Sequence, residues 1–133
     1  MSGVAVIRQL LATSASLTAQ VPAGRIIAGI IPQKTALPAI GVTEISSVEH
    51  LTVSMAESSR FKTERVQVTV HASNYSSKKA ILALVRAACA NRSGTVNFVK
   101  VDSILPAGDG PDLDDEAAVI FEQSSDFIVK WST

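Results

Sequence analysis

The sequence predicts an α+β fold, a mainly antiparallel sheet of four to five strands with two helices packed on one face. Three observations carry that prediction. RVQVTVHA alternates strictly between apolar and polar residues, the period of a strand with one buried face. Two segments repeat apolar residues at helical spacing, Val4, Ile7, Leu10 and Leu11 near the start and Ile81, Leu84, Val85 and Ala88 further on. The chain closes on DFIVKW, where Phe127, Val129 and Trp131 alternate with polar or smaller neighbours.

In order along the chain, a helix is expected from about Ser2, which can cap it, to Thr13, with a further short helical turn in SASLTAQ before Pro22 and Gly24 stop it. RIIAGIIP is β-branched and closes at Pro32, so it reads as a short strand. Pro32 and Pro38 bracket a loop. AIGVTEISSVE alternates through Ile40 and Val42 and loses phase near Glu44 and Ile45, where a bulge is expected. From Val48 to Arg60 neither period fits, which predicts a long excursion between strands. The RVQVTVHA strand buries Val66, Val68, Val70 and Ala72 and turns Arg65, Gln67, Thr69 and His71 the other way. The second helix is expected to be capped by Ser76 or Ser77 and ended by the segment Asn91 to Gly94. Lys78 and Lys79 fall in its first turn, where the helix dipole disfavours cations; they read as solvated or as a contact. TVNFVKVDSIL predicts one strand through Val96, Phe98, Val99 and Val101, broken by Pro106, Gly108, Gly110 and Pro111 at an acidic turn. AAVIFEQ and DFIVKW then form one long strand or two short ones, and no internal repeat is present.

The chain has 133 residues, enough for one core, so residues 1–133 read as a single domain. Apolar residues make up 47% and charged residues 18%, fewer charges than an ordinary soluble domain carries. That balance suits a subunit that buries part of its surface against neighbours. With twelve basic and twelve acidic residues the formal net charge is zero, which argues against a dedicated nucleic-acid binder. The lone Cys89 excludes an intramolecular disulfide and a multi-cysteine zinc site, and fits a reducing compartment. No stretch has the composition of a signal peptide or membrane span, so a soluble cytoplasmic product without membrane association is expected.

No arrangement of residues points to catalysis. His50 and His71 sit in no metal-ligand spacing, and Cys89 lies among alanines beside an apolar stripe, where cysteine behaves as a small hydrophobe. The acidic turn offers Asp109, Asp112, Asp114, Asp115 and Glu116. A calcium loop counted from Asp109 would need glycine and glutamate where Asp114 and Ile120 stand. A nuclease motif begun at Pro111-Asp112 lacks its acidic residue before Lys100 or Lys130. Phosphate-binding glycine patterns are missing. No cofactor and no metal are expected, and the chain reads as a non-enzymatic structural subunit; an enzyme using His71 with Asp102 or Glu64 is the contrary reading.

The order of four blocks, LTAQVPAGRIIAGIIP, ALPAIGVTEISS, RVQVTVHASNYSSKKAILALVRAA and DFIVKW, resembles the tail-completion, or tail-terminator, proteins of long-tailed bacteriophages and gene-transfer particles. The third block is the most specific, and the segment between the second and third strands is longer than the family pattern. The resemblance implies a virion subunit forming a ring, generally of six copies, at the head-proximal end of the tail tube. There it would stop tube polymerisation and meet the head-closure or connector protein, with DNA passing through the lumen without specific binding. Its partners would be copies of itself, the tail tube protein and the connector. On that reading the two longest irregular segments supply the interface residues: Val48, His50, Leu51, Val53 and Met55 from the excursion, Asp112, Asp114 and Asp115 from the acidic turn, and Lys78 and Lys79 from the second helix. Another neck component, such as a head-closure or minor tail protein, and a small non-viral binding module are the alternatives.

Overall fold

The computed structural model describes residues 3–50, 61–96 and 99–132. Helix α1 (Gly3–Ala12) and a short α2 (Ala15–Thr18) lead through a single 3-10 turn (Ala23–Arg25) into strand β1 (Ile26–Ala28). β2 (Ala39–His50), β3 (Phe61–Ala72), helix α3 (Tyr75–Cys89), β4 (Arg92–Val96), β5 (Val99–Asp109) and β6 (Phe121–Ser132) follow. The strands form one six-stranded sheet in the order β1-β2-β3-β6-β5-β4. Every pairing is antiparallel except that of β1 with β2.

The α+β class and the mainly antiparallel sheet are as the sequence predicts; among the described residues six strands and three α-helices replace the expected four to five and two. The extra strand, β4, takes Arg92 to Gly94 from the segment expected to end the second helix and Thr95 and Val96 from the segment expected to be a single TVNFVKVDSIL strand. It pairs with β5 with a register shift between Arg92 and Gly94. β4 has no alternation to read, because its residues are exposed up to a half-buried Val96. β5 also runs through Pro106 to Asp109 rather than breaking there. β4 reaches only to Ile104, so beyond it β5 is itself an edge, the place where a strand tolerates proline. The expected excursion from Val48 is likewise overturned at its ends. β2 continues to His50 and β3 starts at Phe61, with His50 paired to Phe61, while Leu51, Val53 and Met55 lie outside the described residues. The bulge expected near Glu44 and Ile45 is present, as a register shift between Glu44 and Ser46. The closing segment is one strand, β6.

Local chemistry explains the helix ends. Ser14 caps α2 by accepting from the Leu17 N–H. α3 is capped by Asn74, not by Ser76 or Ser77: its side-chain oxygen accepts from the Ser77 N–H at 2.7 Å, and the helix has already begun by the time those serines are reached. Past Cys89, Asn91 takes a left-handed conformation at φ 59° and donates to the Ile104 carbonyl, which turns the chain into β4.

One face of the sheet carries the core. Val66, Val68, Val70 and Ala72 of β3 and Phe127, Val129 and Trp131 of β6 are buried there with Val6, Ile7 and Leu11 of α1 and Ile81, Val85 and Cys89 of α3. Burial pushes the Cys89 thiol up to about 12 despite the nearby Arg92. Beneath α1, Glu64 is buried on this face and accepts from the Gly3 N–H at 2.7 Å. The opposite face carries Arg65, Gln67, Thr69 and His71, as expected from the alternation, and none of the described helices covers it.

Candidate functional site

The polar side chains gather where α3 meets the segment between β5 and β6. That segment is an arm that stays beside β6 after β5 ends: the Gly110 and Leu113 N–H groups donate to the Ser124 and Glu122 carbonyls, both at 2.8 Å. The approach is close at Gly110: a Cβ there would sit 2.6 Å from the Ser124 hydroxyl, which would have to rotate away. The helical period places Tyr75, Lys78, Lys79 and Arg86 along the arm, and each finds an acid on it. Lys78 Nζ donates at 2.8 Å to both Asp112 and Asp114, Lys79 donates to Asp112 at 3.0 Å and to Gln123, and Tyr75 donates to Asp112 at 3.2 Å. Arg86 holds Asp109 at 2.5 Å, and Asp109 also accepts from Ser125 at 2.8 Å. The Lys78 ammonium lies 4.4 Å from the centre of the Tyr75 ring.

The cluster corrects the reading of the first-turn lysines as solvated. Lys78 is fully buried. Burial opposes its charge most strongly, but the hydrogen bonds and charges of Asp112 and Asp114 together outweigh that, and its pKa is raised. Hydrogen bonds from Lys78 and then Lys79 hold Asp112 down at about 2. Asp109 is lowered chiefly by its hydrogen bond from Arg86. The penalty for cations in the first turn is offset by two carboxylates brought from a segment more than thirty residues away in sequence.

The helix-free sheet face holds a second polar set. Arg65 pairs with Asp126 at 2.8 Å and Gln67 donates to the same carboxylate at 3.3 Å. His71 lies 3.4 Å from Glu122. Glu64 projects to the other side, so the His71–Glu64 pairing of the enzyme reading does not form, and the described partner of His71 is Glu122. Two segments overhang this face. Residues 107–111 and Leu113 bound a groove of about 410 Å³ above Arg65, Gln67, Thr69, Glu122, Ser124 and Asp126. On the other side Ile31 packs onto Gly41, where a Cβ would meet the Gly29 carbonyl at 3.0 Å and Ile31 Cγ1 at 3.1 Å. At the far end of the sheet, Val48 and Phe61 are exposed and His50 shares a 2.8 Å hydrogen bond with Thr63.

The structure thus joins Lys78, Lys79, Asp112 and Asp114 into one cluster, with Asp115 on the same arm accepting from the Ala118 N–H. It sets Val48 and His50 apart, at the other end of β2. Tyr75, Arg86, Asp109 and Gln123 escape a reading of the sequence for interface residues; the helical spacing of Tyr75, Lys78, Lys79 and Arg86 against an acid-rich run is the signal that could have found them. Among the described residues no group of three or more His, Cys, Asp or Glu side chains is arranged to hold a metal ion, and no helix is long and apolar enough to cross a membrane.

Residues 5–119 match the protein family described as Tail completion protein gp17. The chain belongs to the tail completion protein family. Its coarse function is that of a structural protein of a phage-type virion tail. The fold is also that of a chain in a solved structure, "Virion of native gene transfer agent (GTA) particle", with a TM-score of 0.69 and 14% identity over 99% of this chain and 96% of that one. No curated protein matches the chain. In this tail completion protein, the α3–arm cluster lies inside the family match from Tyr75 to Asp115.

Proposed function

We propose that this tail completion protein closes into a ring, six copies in the family pattern, on the head-proximal end of the tail tube. There it ends tube polymerisation and joins the tail to the head connector as part of the virion neck. The family match over residues 5–119 carries the reading. The shape of the sheet supports it: β1 and β4 are edge strands among the described residues, so each side of the subunit offers unpaired backbone to a neighbour. A ring needs two different complementary surfaces on each copy, and an open sheet has two different edges. A net charge of zero suits a lumen that passes DNA without gripping it.

On this reading Val48 and His50, at the end of the β2–β3 hairpin, face the tube or the connector, together with Leu51, Val53 and Met55. Lys78, Lys79, Asp112 and Asp114 act at one remove, by fixing the arm that carries Asp115. The test is a particle made without the protein, examined by negative-stain electron microscopy, alongside the native mass of the purified chain. Tubes of uncontrolled length beside unjoined capsids, and a ring-sized mass, are expected. Tails of normal length joined to full capsids would overturn the assignment.

A further inference from the structure

The zero net charge hides a segregation. The first 43 residues contain Arg8, Arg25 and Lys34 and no acid, whereas residues 109–122 contain six acids and no Lys or Arg. The fold sets these two stretches on opposite flanks of one row of the sheet. Ile26 of β1 is level with Ile40, Ile40 with Val70, and Val70 with Gln123, whose side chain donates to the Gly110 carbonyl of the arm. The flanks are therefore about 19 Å apart across the strands.

Among the described residues, internal ion pairs take up four of the six acids and none of the three cations. On the β1 flank, among the described residues, Arg8 and Arg25 donate to the Ile26 and Leu37 carbonyls, and neither they nor Lys34 is ion-paired with an acid. Of the six acids, α3 takes up Asp109, Asp112 and Asp114 and His71 faces Glu122, which leaves Asp115 and Glu116 exposed at the tip of the arm. Each flank also displays apolar side chains beside its charges: Ile30 is 88% exposed on the basic flank, and Leu113 and Val119 are 58% and 55% exposed on the acidic one.

We infer that the β1 flank of one copy, through Arg25, Ile30 and Lys34, docks on the acidic arm of the next copy, through Leu113, Asp115, Glu116 and Val119. The occupant of each flank is a second copy because the complement of each, in charge and in apolar content, is carried by the same chain. Two unlike flanks on opposite sides make the contact heterologous, so lateral repetition can close a ring. The inference rests on the ring reading above and gives that ring its subunit contact. It also gives the α3 cluster a role, since the lysines that clamp the arm neutralise its root and hold its charged tip outward.

The test uses the purified full chain and two charge reversals, Arg25→Glu with Lys34→Glu, and Asp115→Lys with Glu116→Lys. Lys34→Glu alone replaces the first pair if circular dichroism shows that Arg25→Glu disturbs folding. Each reversal by itself is expected to weaken self-association at least about tenfold in sedimentation equilibrium. An equimolar mixture of the two is expected to regain it, because each reversed flank then meets its complement. Wild-type association should weaken at about 1 M salt, where the screening length falls to about 3 Å. Rings unaffected by either reversal, or a mixture that stays dissociated, would overturn this contact and leave the ring reading standing. A wild-type chain that remains monomeric at every concentration would overturn both.

Discussion

Replacing Lys78 by methionine removes the buried ammonium and keeps most of its stem. Two hydrogen bonds of 2.8 Å to carboxylates disappear, and bonds to charged groups contribute about 1.5–3 kcal/mol each. The loss is smaller than their sum. Asp112 and Asp114 are 40% and 24% exposed and can rehydrate, Lys79 still reaches Asp112 at 3.0 Å, and methionine preserves the packing of the stem. We expect a net cost of about 2 kcal/mol, which for a chain of this length lowers Tm by about 7 °C. The Asp112→Ala/Asp114→Ala variant should cost more, because it leaves the buried ammonium, which has no access to water, with no carboxylate and only the Tyr75 ring beside it. It should also reverse an alkaline slope. In the wild type the Lys78 pKa is raised above 10.5, so the folded state holds the proton longer than the unfolded state and stability falls as pH rises through the folded value. With both acids gone only burial acts on Lys78, its pKa drops below the unfolded value, and stability climbs as pH rises toward 10.5. Urea titrations of the three proteins, with the midpoint followed from neutral pH to about 11, read both effects. A double variant milder than Lys78→Met, or one that keeps the wild-type alkaline slope, would refute the account of Lys78 as a buried cation held by the arm.

Three further expectations rest on single contacts. Asp112, depressed from 3.8 to about 2, contributes stability that is fully present above the unfolded value and lost as pH falls through the folded one; Asp112→Asn should flatten the urea midpoint between about pH 4 and 2. Cys89 is buried with its thiol at about 12, so a thiol reagent at neutral pH should label it only at the rate of unfolding, and labelling as fast as a free peptide would show that the end of α3 does not pack Cys89 into the core. Gly41→Ala sets a Cβ 3.0 Å from the Gly29 carbonyl and 3.1 Å from Ile31, and should lower stability by about 1–3 kcal/mol in thermal melts; an unchanged Tm would mean that the Gly29–Ile31 segment does not rest on the sheet.

Sequence by itself determined what repeats with a period. The alternation of β3 placed Val66 to Ala72 inward and Arg65 to His71 outward, the loss of phase at Glu44 located the bulge, the helical stripe found α3, and the order of blocks pointed to the family. These patterns are local, since side-chain direction along a strand or helix follows from backbone geometry alone. Only the tertiary structure decided features that depend on which segments meet. β4 has no buried side to alternate with, β5 passes Pro106 because its neighbour has already ended, and the cap of α3 is set by where the helix starts. Lys78 shows the difference most plainly. One lysine beside another in a first turn reads as a solvated surface, and it became a buried cation because antiparallel pairing returned Asp112 and Asp114 to the same helix end. A charge enters the interior only when its partner arrives with it, and which partner arrives is fixed by the topology of the sheet.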